Sequence, residues 1–142
     1  MEILIAAFSA WIAAQTALTP PPPPRVIQID PAAMQELASG DDVQLAYRVP
    51  ALYGRQGQTV YLRKNWDPEQ LSDRSELVHE LVHHFQTVHG LPYGCNAERE
   101  KLAYELQIKW LREQGVDDPH SLLQINDFFI VMVSMCRDVD FD

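Results

Sequence analysis

Between Leu77 and Val88 the apolar residues fall at Leu77, Val78, Leu81, Val82, Phe85 and Val88, the spacing of one helix face. On a helical wheel they fill a single arc about 140° wide. His79, Glu80 and His83 lie outside it, on the side of Glu76 and Gln86. Such a helix turns its back to the core and its histidines to a cleft. It is predicted to start near Ser72 or Asp73, either of which can cap it, and to end at Gly90 before Pro92. A second helix is predicted from Asn96 to Glu113, stopping at Gly115, with Leu102, Ala103, Leu106 and Trp110 as its apolar arc. A third begins near Pro119, carries the apolar run from Phe128 to Val133 and ends near Cys136.

The earlier half of the chain has shorter signals. Val26–Ile29 reads as a strand, and Pro31–Ala38 as a helix closed by Gly40. Tyr47–Tyr53 and Thr59–Leu62 read as extended segments flanking a turn at Gly54–Gly57, and Trp66-Asp67-Pro68 breaks the pattern. The expected fold class is α+β, a small sheet followed by three helices. Leu91–Cys95 is short enough to make the first two of those helices an antiparallel hairpin. Thr59–Leu62, if at a sheet edge, offers a place where an extended peptide can add as another strand.

Residues 1–18 stand apart. Ile3 to Leu18 is an apolar run broken by Ser9, Gln15 and Thr16, shorter than a spanning helix requires and suited to a signal-peptide core or an N-terminal anchor. Met1-Glu2 lacks the usual basic residue, and Ala14, Thr16 and Ala17 make only a mediocre cleavage site. Residues 19–25, dominated by Pro20–Pro24, read as a stiff polyproline linker, leaving 26–142 as the domain. The expectation is an exported chain, periplasmic or secreted, or one whose N-terminal segment, uncleaved, is its sole tie to a membrane.

At 142 residues and 16.2 kDa the chain has room for one core. A net charge of -9, without a basic stripe, excludes the ordinary nucleic-acid binders. Cys95 and Cys136 are the only cysteines. In an oxidising compartment they can close one disulfide; in a reducing one they remain thiols.

The chemistry is concentrated in His79-Glu80-Leu81-Val82-His83, an H-E-x-x-H motif. Histidines at i and i+4 lie about 40° apart on a helix, so both imidazoles can reach one metal ion. Glu80 projects from the adjacent face, where a carboxylate can serve as general base toward an activated water. The competing reading is a packed histidine pair without a metal.

Two residues compete to be the third ligand. His89 has the spacing of HExxHxxGxxH, but Gln86 stands where a glycine would let the chain leave the helix. On a continuing helix His89 lies about 120° round from His83 and roughly 9 Å further along, out of reach. Glu100 and His83 are equidistant in sequence from Leu91-Pro92, so a hairpin brings them level. Ala103, one turn on, is small enough for close approach. Glu98 points roughly 160° away from Glu100. Glu100 can alternatively be a solvated carboxylate at a helix start.

Glu100-Lys101-Leu102-Ala103 after HExxH resembles the gluzincin metallopeptidases, which pair that motif with a glutamate on the next helix. The longer pattern comprises Leu77 to Gln86, Tyr93, Cys95, Arg99-Glu100, Ala103-Tyr104, Gln107 and Trp110-Leu111. It is similar to a family of small bacterial zincin-like proteins classified as a domain of unknown function. The resemblance covers roughly residues 59–111 and implies a zincin-type core. It implies Zn2+ held by His79, His83 and Glu100, with Glu80 as general base. Several gluzincins carry an Asp four residues after the glutamate that orients a ligand histidine. Here Tyr104 stands there, so that support must come from elsewhere. Tyr104 is a candidate oxyanion donor or a packing residue in the helix interface.

The expected function is therefore zinc-dependent hydrolysis of a peptide or protein substrate, with no nucleic-acid partner. The alternative is a non-catalytic secreted domain with a structural zinc, in which a fourth protein ligand such as Cys95 completes the site.

Overall fold

The computed structural model describes residues 1–39 and 50–136. The expectations for Gly40 and for 47–49 lie outside them. In chain order the elements are α1 (Glu2–Thr16), β1 (Arg25–Ile29), α2 (Pro31–Ser39), β2 (Ala51–Gly54), β3 (Thr59–Arg63) and α3 (Leu71–Val88). A 3-10 turn at Asn96–Glu98 then leads into α4 (Arg99–Glu113), α5 (Pro119–Leu123) and α6 (Asp127–Ser134). The architecture is α+β: a three-stranded sheet followed by the α3–α4 hairpin and two short helices.

The strand order is β1-β3-β2, with β1 parallel and β2 antiparallel to β3. Thr59–Leu62 is therefore the central strand. Its backbone groups are paired on both sides, so the strand addition expected there is ruled out. The β2–β3 turn puts its left-handed residue at Gln58 (φ 48°), not at either glycine.

Alternation in β2 and β3 sends Ala51, Tyr53, Val60 and Leu62 to one face. That face packs with the Leu77, Val78, Leu81, Val82 and Phe85 stripe of α3 in one core cluster. Ala103, Leu106, Trp110 and Leu111 of α4 close the cluster from the other side. Val88 lies on the same arc but is exposed, since the last turn of α3 runs past the core. Met34 and Ala38 of α2 are buried outside the main cluster, against β2 and β3.

Within the segment read as leader or anchor, Glu2–Thr16 forms α1, and its Ile5, Phe8 and Ile12 are buried in the core. Phe8 meets Trp110 edge-on at 5.3 Å, and the Trp11 indole N–H donates to Glu113 at 2.9 Å. The proline segment is likewise held, its Pro22 carbonyl accepting from His84 Nε2 at 2.7 Å. Among the described residues no helix is long and apolar enough to cross a membrane.

Two helix boundaries differ from expectation. Gln70 is the N-cap residue of α3, without a side-chain cap. Asp73 lies in the first turn, where its carboxylate pairs with Arg63 at 2.7 Å and accepts the Asp67 N–H at 2.8 Å. It fastens the helix start to the end of β3. The single third helix is in fact two, because Gln124 turns left-handed (φ 57°) and ends α5. Asn126 then caps α6 by accepting the Phe129 N–H at 2.7 Å. Cys95 and Cys136 form a disulfide joining the α3–α4 connection to the end of α6.

Candidate metal centre

Cross-helix contacts run in opposite directions along α3 and α4: Ser75 meets Gln107, His79 meets Gln107 and Glu100, and Gln86 meets Arg99. This antiparallel register sets Glu100 between the two histidines. Its Oε2 lies 3.0 Å from His79 Nε2 and its Oε1 2.8 Å from His83 Nε2. One ligand atom from each of His79, His83 and Glu100 lies within 4.8 Å of the others. Ala103, with no exposed surface, permits this approach.

The far nitrogens of both imidazoles are also held. His79 Nδ1–H donates to Gln107 Oε1 at 2.8 Å, and Gln107 Nε2 donates onward to Ser75 Oγ at 3.0 Å. His83 Nδ1–H donates to Gln86 Oε1 at 2.8 Å. Gln86 Nε2 in turn donates to the Tyr93 hydroxyl at 2.9 Å and to the Arg99 carbonyl at 3.1 Å. Both amides are essentially inaccessible. An amide oxygen on each Nδ1–H directs each Nε2 toward the shared centre and fixes the ring orientation, as outer partners of ligand histidines do. The residues therefore fit a divalent metal: two imidazole nitrogens and a carboxylate converge, and every remaining polar atom of the two rings is satisfied.

Sequence reasoning missed these glutamines. Gln86 was placed on the histidine side of the helix and at the position of an absent glycine, and Gln107 in the wider pattern, but neither was given a role toward a histidine. Gln107 shares the Glu100 face of α4, two turns on (about 20° away), and that was the available signal.

The centre is more enclosed than the expected open cleft. His79 and His83 are 5% and 8% exposed, and Glu80 is buried beside them, while the Glu100 side chain retains 31%. Access is therefore from the Glu100 side. Burial by itself pulls the His79 imidazole down, but the Glu100 and Glu80 carboxylates outweigh it and hold it up at about 10. His83 is raised by the same balance. Burial would raise Glu100, but the two imidazoles hold it well below the usual carboxylate range. Burial pushes Glu80 upward, opposed by His79 and His83. A buried carboxyl beside the histidine pair is placed to take and return a proton.

Tyr104 sets its ring edge-on to His79, centroids 4.5 Å apart, and to Phe129 of α6 at 6.0 Å. It thus borders the ligands without being one of them. His84 points away: its Nε2–H donates to Pro22, so its Nδ1 accepts the Tyr53 hydroxyl at 2.8 Å. Burial lowers its pKa, keeping it neutral. His89 is also outside the cluster, donating to the Thr19 carbonyl at 2.7 Å and stacking on Phe85. Cys95 is tied to Cys136 and takes no part in the histidine cluster.

Fold and site together define a small α+β domain built around a His-His-Glu cluster on a helical hairpin. The whole chain, residues 1–142, matches the family described as "Domain of unknown function (DUF6647)", and it belongs to that family. No curated protein and no solved structure matches it.

Proposed function

We propose that the protein is a zinc-dependent hydrolase, most consistent with a metallopeptidase of gluzincin type. The observation that carries this reading is the convergence of His79 Nε2, His83 Nε2 and the Glu100 carboxylate, with both Nδ1 atoms held by buried amides. Three protein ligands are the number a catalytic zinc uses, and no fourth His, Cys, Asp or Glu joins this group among the described residues. A zinc ion bound there supplies Lewis acidity.

The residues of the chain supply the rest. Glu80 accepts a proton from the attacking water and delivers it to the leaving amine. Tyr104, whose ring lies edge-on to His79, is the candidate for steadying charge that develops on the carbonyl oxygen. The disulfide supports export to an oxidising compartment.

Glu80→Gln is the direct test. It should keep stoichiometric zinc and lose hydrolysis across a broad peptide panel, since a base is removed while all three ligands remain. Loss of zinc and of fold together would make Glu80 structural and overturn the assignment.

A further inference from the structure

The metal-facing stripe of α3 extends beyond the residues the centre uses. With His79 as origin and about 100° per residue, His83 lies roughly 40° round and Glu80 roughly 100°. Glu76 falls between them, at about 60°, one turn toward the helix start. Ser72, at about 20°, and Asp73, at about 120°, continue the same face. On this face opens a cavity of about 240 Å³, walled by Arg63, Ser72, Asp73 and Glu76 on one side and by Leu122 and Leu123 of α5 on the other.

The charges on its wall are unequally compensated. Asp73 is spent on Arg63 and on the Asp67 N–H. The Arg63 Nε is buried and has no hydrogen-bond partner. Glu76 has no ion pair or hydrogen bond among the described residues. Burial pushes its carboxyl up to about 7, with His79 and Arg63 opposing and Glu80 and Asp73 adding, so a further cationic partner would restore its ionisation. The opposite wall carries the aliphatic Leu122 and Leu123 beside the uncharged Gln124. The volume is below that of a drug-sized ligand site and suits one side chain.

The geometry points to a specificity pocket for a lysine or arginine side chain of the substrate, with Glu76 as its counter-ion, an inference that rests on the peptidase reading. A scissile bond beside Glu80 lies four residues along the helix, ~6 Å, from Glu76, a distance that a long basic side chain spans. Its aliphatic stem would lie along Leu122 and Leu123 and its charged head would meet the carboxylate. The net charge of -9 favours the encounter with basic peptides.

The test uses the full-length, zinc-loaded protein and hydrolysis-resistant peptides differing at one position: lysine, arginine, norleucine or glutamate. Calorimetry should give the lysine and arginine peptides about tenfold tighter binding than norleucine, the scale of a charge-assisted hydrogen bond. Glu76→Gln should abolish that discrimination. Leu122→Arg, placing a competing cation from the other wall, should do the same should Glu76→Gln fold poorly. Equal binding of lysine and norleucine peptides, preference for glutamate, or discrimination that survives both substitutions would each overturn the pocket. Cleavage of the matching hydrolysable peptides is scored separately. Cleavage without basic preference overturns the pocket alone, and basic-selective binding without any cleavage overturns the hydrolase reading alone.

Discussion

Replacing Gln86 by leucine separates a positioning role from a merely space-filling one. The side chain is fully buried, and leucine is close to it in size. The change removes the acceptor for His83 Nδ1–H and the donors to Tyr93 and to the Arg99 carbonyl. The half-buried Tyr93 hydroxyl can turn to water. The Arg99 carbonyl keeps its intrahelical bond in the first turn of α4, but the His83 N–H is orphaned, which costs about 1–3 kcal/mol. The expected loss of stability is therefore roughly 1–3 kcal/mol, a fall in Tm of about 3–12 °C for a domain of this size. Freeing the His83 ring should also weaken zinc binding about 10–100-fold, or ~1.4–2.7 kcal/mol. Chelator competition on the folded protein reads the second quantity, and urea unfolding of the metal-free protein reads the first. Gln86→Glu is the control. It keeps an acceptor for Nδ1–H but turns a carboxylate toward the Arg99 carbonyl, so stability should fall while zinc affinity stays within a few-fold. If Gln86→Leu binds zinc as tightly as the natural chain, the amide does not position the ligand. If both variants lose zinc equally, the effect is collapse of the hairpin.

Glu100→Ala should weaken zinc binding strongly while His89→Ala leaves it nearly unchanged; the reverse in a chelator competition would move the third ligand to His89 and defeat the gluzincin-type reading. The Cys95–Cys136 disulfide closes a 41-residue separation, so reduction should cost about 4 kcal/mol by chain entropy. An unchanged melting temperature in reductant would contradict that. In the metal-free protein the cluster should stabilise the fold in a bounded pH window. His79, raised from 6.5 to about 10, contributes fully below pH 6.5 and loses its contribution as the pH rises through about 10. Glu100, held below its ordinary 4.5, contributes above that value and loses its contribution in acid. Melting temperatures with chelator should therefore decline on both sides, and a rise between pH 6.5 and 10 would refute the arrangement.

The α3 helix was legible from its own periodicity, because a stripe of Leu77, Val78, Leu81, Val82 and Phe85 can be buried in only one way. The H-E-x-x-H spacing fixed which residues share a face, and the short Leu91–Cys95 link placed Glu100 level with His83, since chain reach forbids anything but an antiparallel neighbour. These are local facts, decided within a turn or two of backbone. Tertiary structure decided the remainder. Strand order depends on which edges pair, and pairing by a strand 30 residues away made Thr59–Leu62 central and closed it to added strands. The break between α5 and α6 turned on Gln124 going left-handed and Asn126 capping anew, against an apolar run that reads as one helix. The roles of Gln86 and Gln107 were hidden for the same reason. A glutamine has no preferred partner in sequence, and only the register of two packed helices brings its amide within 2.8 Å of a histidine nitrogen.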